Sequence, residues 1–147
     1  MRFAFLSPYR SIILSIMRIG VGLLFMQHGA QKLFGAFGGV DGQGATVQLM
    51  SQFGLAGVLE FFGGALIVVG LLTRLVAFLL SGQMLVAYLQ AHMPQGGLPI
   101  QNGGELALLF SAVFLYLLAA GPGRWSVDAA LGWDEPALAD DVTRTRR

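Results

Sequence analysis

Apolar residues dominate four stretches of the chain, at about residues 11–34, 49–72, 75–93 and 105–120. Crossing a hydrocarbon core of about 30 Å takes roughly 20 helical residues, so these stretches predict four membrane-spanning helices. Only Thr73 and Arg74 separate the second stretch from the third, which predicts a tight helical hairpin. Residues 35–48 are glycine-rich and hold Asp41, and residues 94–101 carry two prolines and two glycines. Both read as loops from their breakers. Asn102 is a candidate N-cap for the fourth helix, with Glu105 in its first turn. Arg18 interrupts the first stretch and no small-residue cleavage site follows it, so the span is read as retained rather than as a signal peptide. Residues 126–133 predict a short helix lying on the membrane surface. The polar, charged tail 134–147 is expected to be disordered, which leaves one membrane domain over residues 1–133.

Composition supports the membrane reading. Of 147 residues, 55% are hydrophobic and 12% charged, against about 25% charged in ordinary soluble domains. Mean hydropathy is +0.69. There is too little charge to dress a water-soluble globule. A net charge of +1 provides no field for a nucleic-acid partner. Cysteine is absent, which excludes disulfides, thiolate metal sites, iron–sulfur ligation and thiol nucleophiles. The basic residues argue for orientation. With both termini cytoplasmic, the inner side holds Arg2, Arg10, Arg74, Arg124, Arg144, Arg146 and Arg147, and the outer side holds Lys32 alone. Trp125 and Trp133 then sit at the inner interface. The expected fold is all-α: a four-helix transmembrane bundle with both termini in the cytoplasm.

Polar residues inside spans are costly, so each needs a partner or a task. They are Arg18, Gln27, His28 and Lys32 on the first helix, Glu60 on the second, Gln83, Tyr88, Gln90 and His92 on the third, and Asn102 and Glu105 at the fourth. Counting up from the inner ends at about 1.5 Å per residue puts His28 about 24 Å up, Tyr88 about 21 Å, Glu105 about 22 Å and Glu60 about 18 Å. His28 and Lys32 share a helix face, as do Tyr88 and His92. The layer predicts a polar cavity open to the outer face. Against that stands a structural reading in which Glu60 and Glu105 pair with Arg18, Lys32 or His28 to hold the bundle together. Gly57, Gly63 and Gly64 near Glu60, and Gly20, Gly22 and Gly29 on the first helix, favour close helix packing. His28 and His92 lie at similar depth, but two histidines in four spans are a weak haem signal, and haem ranks low. No spacing resembles a zinc-protease motif, and no metal site is expected. Residues 38–44 lack the lysine of a phosphate loop, and no serine sits in a nucleophile elbow.

Six segments follow one another along the chain: Arg18-Ile19-Gly20-Val21-Gly22, His28-Gly29-Ala30-Gln31-Lys32-Leu33-Phe34-Gly35, Glu60-Phe61-Phe62-Gly63-Gly64, Gly70-Leu71-Leu72-Thr73-Arg74, Asn102-Gly103-Gly104-Glu105, and Gly121-Pro122-Gly123-Arg124-Trp125-Ser126-Val127-Asp128. Together and in this order they resemble the DoxX family of small bacterial integral membrane proteins. The resemblance covers roughly residues 12–131. It implies a four-helix, multi-pass protein of the bacterial cytoplasmic membrane. It also implies kinship with a small membrane subunit of a thiosulfate:quinone oxidoreductase, and with membrane complexes handling oxidative stress or thiol balance. A more distant likeness to eukaryotic surfeit-locus cargo receptors points to partner binding instead. Without cysteine, any thiol relay must come from a partner.

These features lead to an expected membrane subunit of a quinone-linked oxidoreductase complex. Quinone reduction needs two electrons and two protons delivered at an apolar, hydrogen-bonding pocket. Glu60, Glu105 and His28 are the candidate proton relay. Lys32, Tyr88, His92, Asn102 and Arg18 are the candidate binding residues, with Tyr88 donating to a quinone carbonyl and Lys32 attracting an anion such as thiosulfate. No redox centre is visible in the chain, so electrons must come from substrate or partner. The expected partners are the lipid bilayer, one or more protein subunits and a second copy of the chain, with non-covalently bound quinone as cofactor. Two other readings stay open: a non-catalytic scaffold, and a small-molecule transporter in which a dimer supplies the missing wall.

Overall fold

The computed structural model describes residues 4–133; the tail expected to be disordered, 134–147, lies outside the described residues. Among the described residues every regular element is a helix, apart from an isolated bridge between Gly39 and Ala45, and irregular loops join the helices. Helix α1 (Arg10–Phe34) follows a 3-10 turn, Ala4–Tyr9. Helix α2 (Gln52–Val69) is α-helical at both ends with a π-turn at Leu59–Gly63. Helix α3 (Thr73–Gln95) also carries a π-turn, at Tyr88–His92, before its 3-10 end. A short helix α4 (Pro99–Asn102) leads into α5 (Glu105–Ala120), and α6 (Val127–Ala130) closes the described chain.

Three of these helices, Phe5–Phe34, Gln52–Val69 and Thr73–Gln95, are long and apolar enough to cross a membrane. The apolar α5 has 16 residues, about 24 Å of helix at 1.5 Å per residue. The four long helices pack side by side around Leu14, Phe25, Ile67, Leu80, Met84, Phe110, Phe114 and Leu117. Large apolar side chains also cover the outside, among them Ile16, Leu24, Leu55, Phe78, Leu109 and Leu115. A helix that is apolar on every face belongs in lipid or a large core, and this chain is too small to supply the core.

Helix α1 meets α2 backbone to backbone. A Cβ on Gly29 would lie 2.4 Å from the Phe61 amide nitrogen and 2.8 Å from the Gly57 carbonyl oxygen, and one on Gly22 would lie 2.9 Å from the Gly64 carbonyl oxygen. Gly20, by contrast, faces open space. Gly29→Leu is therefore expected to cost at least about 3 kcal/mol, because backbone cannot yield as a side chain would. Gly20→Leu leaves thermal stability in detergent near wild type. Equal melting temperatures for the two variants would mean that α1 and α2 do not cross there.

The hairpin turn falls at residues 70–72 rather than at Thr73-Arg74. Gly70 adopts φ 69° and closes α2, with its N–H on the Leu66 and Ile67 carbonyls and the Leu71 N–H reaching back to Leu66. The start of α3 is then set from far along the chain: Asp128 accepts the Leu72 N–H at 2.7 Å and the Thr73 N–H at 2.8 Å. Arg74, whose position suggested a turn, donates to the Leu118 and Ala119 carbonyls at the end of α5. Cations there complement the negative end of the helix dipole. Asn102 is not the N-cap of α5: Gly104 occupies that position without a side-chain bond. Asn102 ends α4, accepting the Gly104 N–H at 2.8 Å and donating to Gly96 O at 2.7 Å.

The loop from 35 to 51 folds back on α1. Gln31 donates to Gly39 O, and the Val47 N–H to Lys32 O. The Ala45 and Gln43 N–H groups bond the Asp41 carboxylate and hold its pKa below the ordinary aspartate range.

Candidate functional site

A cavity of about 780 Å³ lies among α1, α2, α3 and α5. Apolar side chains, Phe25, Leu59, Leu79, Met84, Leu106 and Phe110 among them, make most of its wall. Its polar groups are His28, Lys32, Glu60, Gln83 and His92, with Gln52 and Gln90 on exposed parts of α2 and α3. A largely apolar chamber with a few convergent polar groups is the usual form of a small-molecule site.

The sequence builds its centre through close helix approach. Gly57 lets Lys32 come against α2, since a Cβ there would sit 3.1 Å from the Lys32 Cβ. The ammonium, in the last turn of α1, then lies 2.5 and 2.6 Å from the two Glu60 carboxylate oxygens. Glu60 is 2% exposed and Lys32 24%. Glu60 belongs to the π-turn of α2, and π-turns inside α-helices recur at functional sites. Gln83 of α3 completes the cluster, its Nε2 donating to Glu60 Oε1 at 3.2 Å and to Ala56 O at 3.3 Å. One turn before Lys32, the His28 ring stands edge-on to Phe110 with centroids 5.9 Å apart. Phe110 in turn meets Phe25 at 5.1 Å, so the floor of the cavity is aromatic.

His92 lines the other part of the wall. Its Nδ1 lies 3.0 Å from Asn102 O; a carbonyl only accepts, so Nδ1 carries the hydrogen, and in the neutral ring Nε2 is left as an acceptor. Gln52 and Gln90 join α2 to α3 by a side-chain hydrogen bond.

The structure therefore brings His28, Lys32, Glu60 and His92 to one cavity. It does not bring Tyr88, Asn102, Glu105 or Arg18 there. Tyr88 stacks on His92 with centroids 6.4 Å apart and its ring packs on Gly104, outside the cavity wall. The Asn102 side chain is spent on its loop, and Glu105 is exposed at the start of α5. Arg18 sits fully buried near the opposite end, about 21 Å along α1 from Lys32 at 1.5 Å per residue. It donates to the carbonyls of Pro122 (2.8 Å), Val68 (2.7 Å), Ile67 and Trp125. Those bonds tie α1 to the last turn of α2 and to the segment before α6. Gln83 was a polar residue without an assigned role. Counted from Thr73 at about 1.5 Å per residue it lies about 15 Å along its helix, one turn or less from the depth of Glu60, which was the available signal. Among the described residues, no group of three or more His, Asp or Glu is placed to hold a metal.

The DoxX family model matches residues 13–93. An uncharacterized protein of Haemophilus influenzae is 40% identical over 127 residues, 84% of this chain and 93% of the relative. An uncharacterized membrane protein of Mycobacterium tuberculosis is 33% identical over 133 residues, 78% of each chain. Inner membrane protein YqjF of Escherichia coli is 31% identical over 125 residues, 79% of this chain and 89% of the relative. No solved structure matches. The chain is an integral membrane protein of the DoxX family.

Proposed function

We propose that this chain is a quinone-binding membrane subunit of an oxidoreductase complex, in which the cavity beside Lys32, Glu60 and Gln83 takes the quinone head. The observation that carries the reading is an apolar chamber of about 780 Å³ with one compact hydrogen-bonding cluster in its wall. Such a chamber suits a ligand that is an apolar plate with hydrogen-bonding edges. Charge narrows the choice between a quinone and an oxyanion. Both Glu60 oxygens are taken by the Lys32 ammonium, so the pair is neutral as a unit and leaves no spare cation to hold thiosulfate. A neutral head is favoured.

The side chains fit such a head. Lys32 brings a donor to the wall, and Gln83 Oε1 and His92 Nε2 bring acceptors. Phe25, His28 and Phe110 provide flat aromatic surface. When bound, quinone would accept two electrons and two protons, the electrons coming from a partner dehydrogenase that oxidises thiosulfate or a thiol. In this chain, Glu60 and His28 are the groups placed to hold or pass a proton at the cavity wall. The rest of the proposal concerns placement: four membrane crossings in the bacterial inner membrane with both termini in the cytoplasm. Arg10, Arg74 and Arg124 at one end of the helices and Lys32 towards the other support it.

The test is quinone content after purification in mild detergent. Wild-type protein is expected to retain quinone. Ala91→Trp, at an exposed position on the cavity wall, should reduce retention about tenfold, equivalent to about 1.4 kcal/mol, with melting temperature unchanged. Wild-type protein free of quinone from quinone-rich membranes would favour the scaffold reading instead.

A further inference from the structure

A second cavity, of about 440 Å³, lies at the arginine end, between the start of α1 and the end of α5. Its walls are Leu6 and Ser7 of the leading 3-10 turn, Arg10, Ile13 and Met17 of α1, and Tyr116 of α5. We infer that this groove binds an anionic phospholipid of the leaflet at the arginine end, with its phosphate at Arg10 and an acyl chain along Ile13 and Met17.

Charge is the first support. The other arginines of the bundle interior are committed: Arg18 and Arg74 donate to backbone carbonyls. Arg10 is exposed, and among the described residues no carboxylate or carbonyl bonds it. A guanidinium with a free fork matches a phosphate's oxygens, and Ser7 places a hydroxyl on the same wall. Position is the second support. The exposed Trp125 and Tyr116 mark this end as the depth of the headgroups, where basic groups attract anionic lipid. Shape is the third. From Arg10 to Met17 the groove follows α1 for about 10 Å, at 1.5 Å per residue, away from the charged end. Its walls there are apolar, and Ile13 and Tyr116 are exposed on it. A headgroup at one end and a hydrocarbon wall beyond it is the pattern of a lipid, and a free phosphate would leave the apolar part unused. The inference rests on the membrane setting and is independent of what the larger cavity binds.

The experiment purifies the full chain from bilayers of mixed phosphatidylglycerol and phosphatidylethanolamine and measures retained lipid by native mass spectrometry. Wild-type protein is expected to retain phosphatidylglycerol. Arg10→Gln should lower retention roughly fivefold, the effect of one basic group near an anionic surface. Ile13→Trp, which fills the groove at an exposed position, should lower it as far while leaving Arg10 intact. Arg124→Gln, an exposed arginine at the same end but outside the groove, should retain it. Melting temperatures of all variants check that each is folded. Equal losses from Arg10→Gln and Arg124→Gln would overturn the proposal in favour of diffuse attraction. Retention of phosphatidylethanolamine instead would overturn it, as would a disulfide cross-link between two chains of the Ile13→Cys variant.

Discussion

Arg18→Ala is expected to abolish accumulation of folded protein, and Arg18→Lys to restore little of it. The guanidinium is fully buried and bonds four carbonyls, those of Ile67, Val68, Pro122 and Trp125. Those acceptors lie on two separate segments, so one planar fork joins three parts of the chain. Removing it strands the buried Pro122 carbonyl and takes a donor from those of Ile67, Val68 and Trp125, at about 1–3 kcal/mol for each buried carbonyl left unpaired. Asp128, 4% exposed, keeps its bonds to the Leu72 and Thr73 N–H groups but loses a nearby cation. A whole domain has only about 5–15 kcal/mol of stability. Lysine keeps the charge but presents its donors from a single point, so it cannot span the four carbonyls. Size-exclusion profiles and melting curves in detergent decide the matter. Arg18→Ala protein that accumulates and melts within a few degrees of wild type would show that the knot is dispensable.

The same residue marks what sequence can and cannot tell about such a chain. Spans are legible because hydropathy is summed over some twenty positions, and an error in one residue changes nothing. Partners are legible only when both carry a distinctive side chain. Lys32 and Glu60 do, and their pairing was one of the alternatives open from spacing alone. Arg18 bonds backbone carbonyls, which every residue has, so nothing in the sequence points to Ile67 or Pro122. The hairpin turn lies away from the polar break in the sequence for a related reason. Thr73 and Arg74 look like a polar break in an apolar run, but Asp128, 55 residues away, caps Thr73 as the first residue of α3. Counting depth grouped Glu105 and Tyr88 with the cavity because depth ignores rotation about the helix axis. Glu105 has the right height but is exposed, and Tyr88 turns to Gly104. The family segments divide in consequence. Those holding Arg18, Gly70, Pro122 and Asp128 form the structural knot at one end; those holding Lys32 and Glu60 form the cavity wall.

The second large effect is an asymmetry between the two members of the cavity ion pair. Lys32→Met leaves Glu60, 2% exposed, with only Gln83 to bond it. That is expected to cost about 3–5 kcal/mol, the usual penalty for isolating one buried charge. Glu60→Gln is milder, at about 1–2 kcal/mol, because Lys32 is 24% exposed and its long stem can turn the ammonium towards water. The double variant Lys32→Met/Glu60→Gln has no stranded charge, and should lose about 1–3 kcal/mol less than the sum of the two single losses. Melting curves of the four proteins measure the cycle; equal costs for the two single variants would mean that the carboxylate is not isolated as drawn. Quinone retention then separates structure from function, because the double variant restores folding without restoring the charged groups. If the pair only holds α1 to α2, the double variant keeps whatever quinone wild type keeps. If Lys32 and Glu60 engage the head of the ligand through their charges, the refolded cavity is uncharged at its centre and retention falls although the protein is stable.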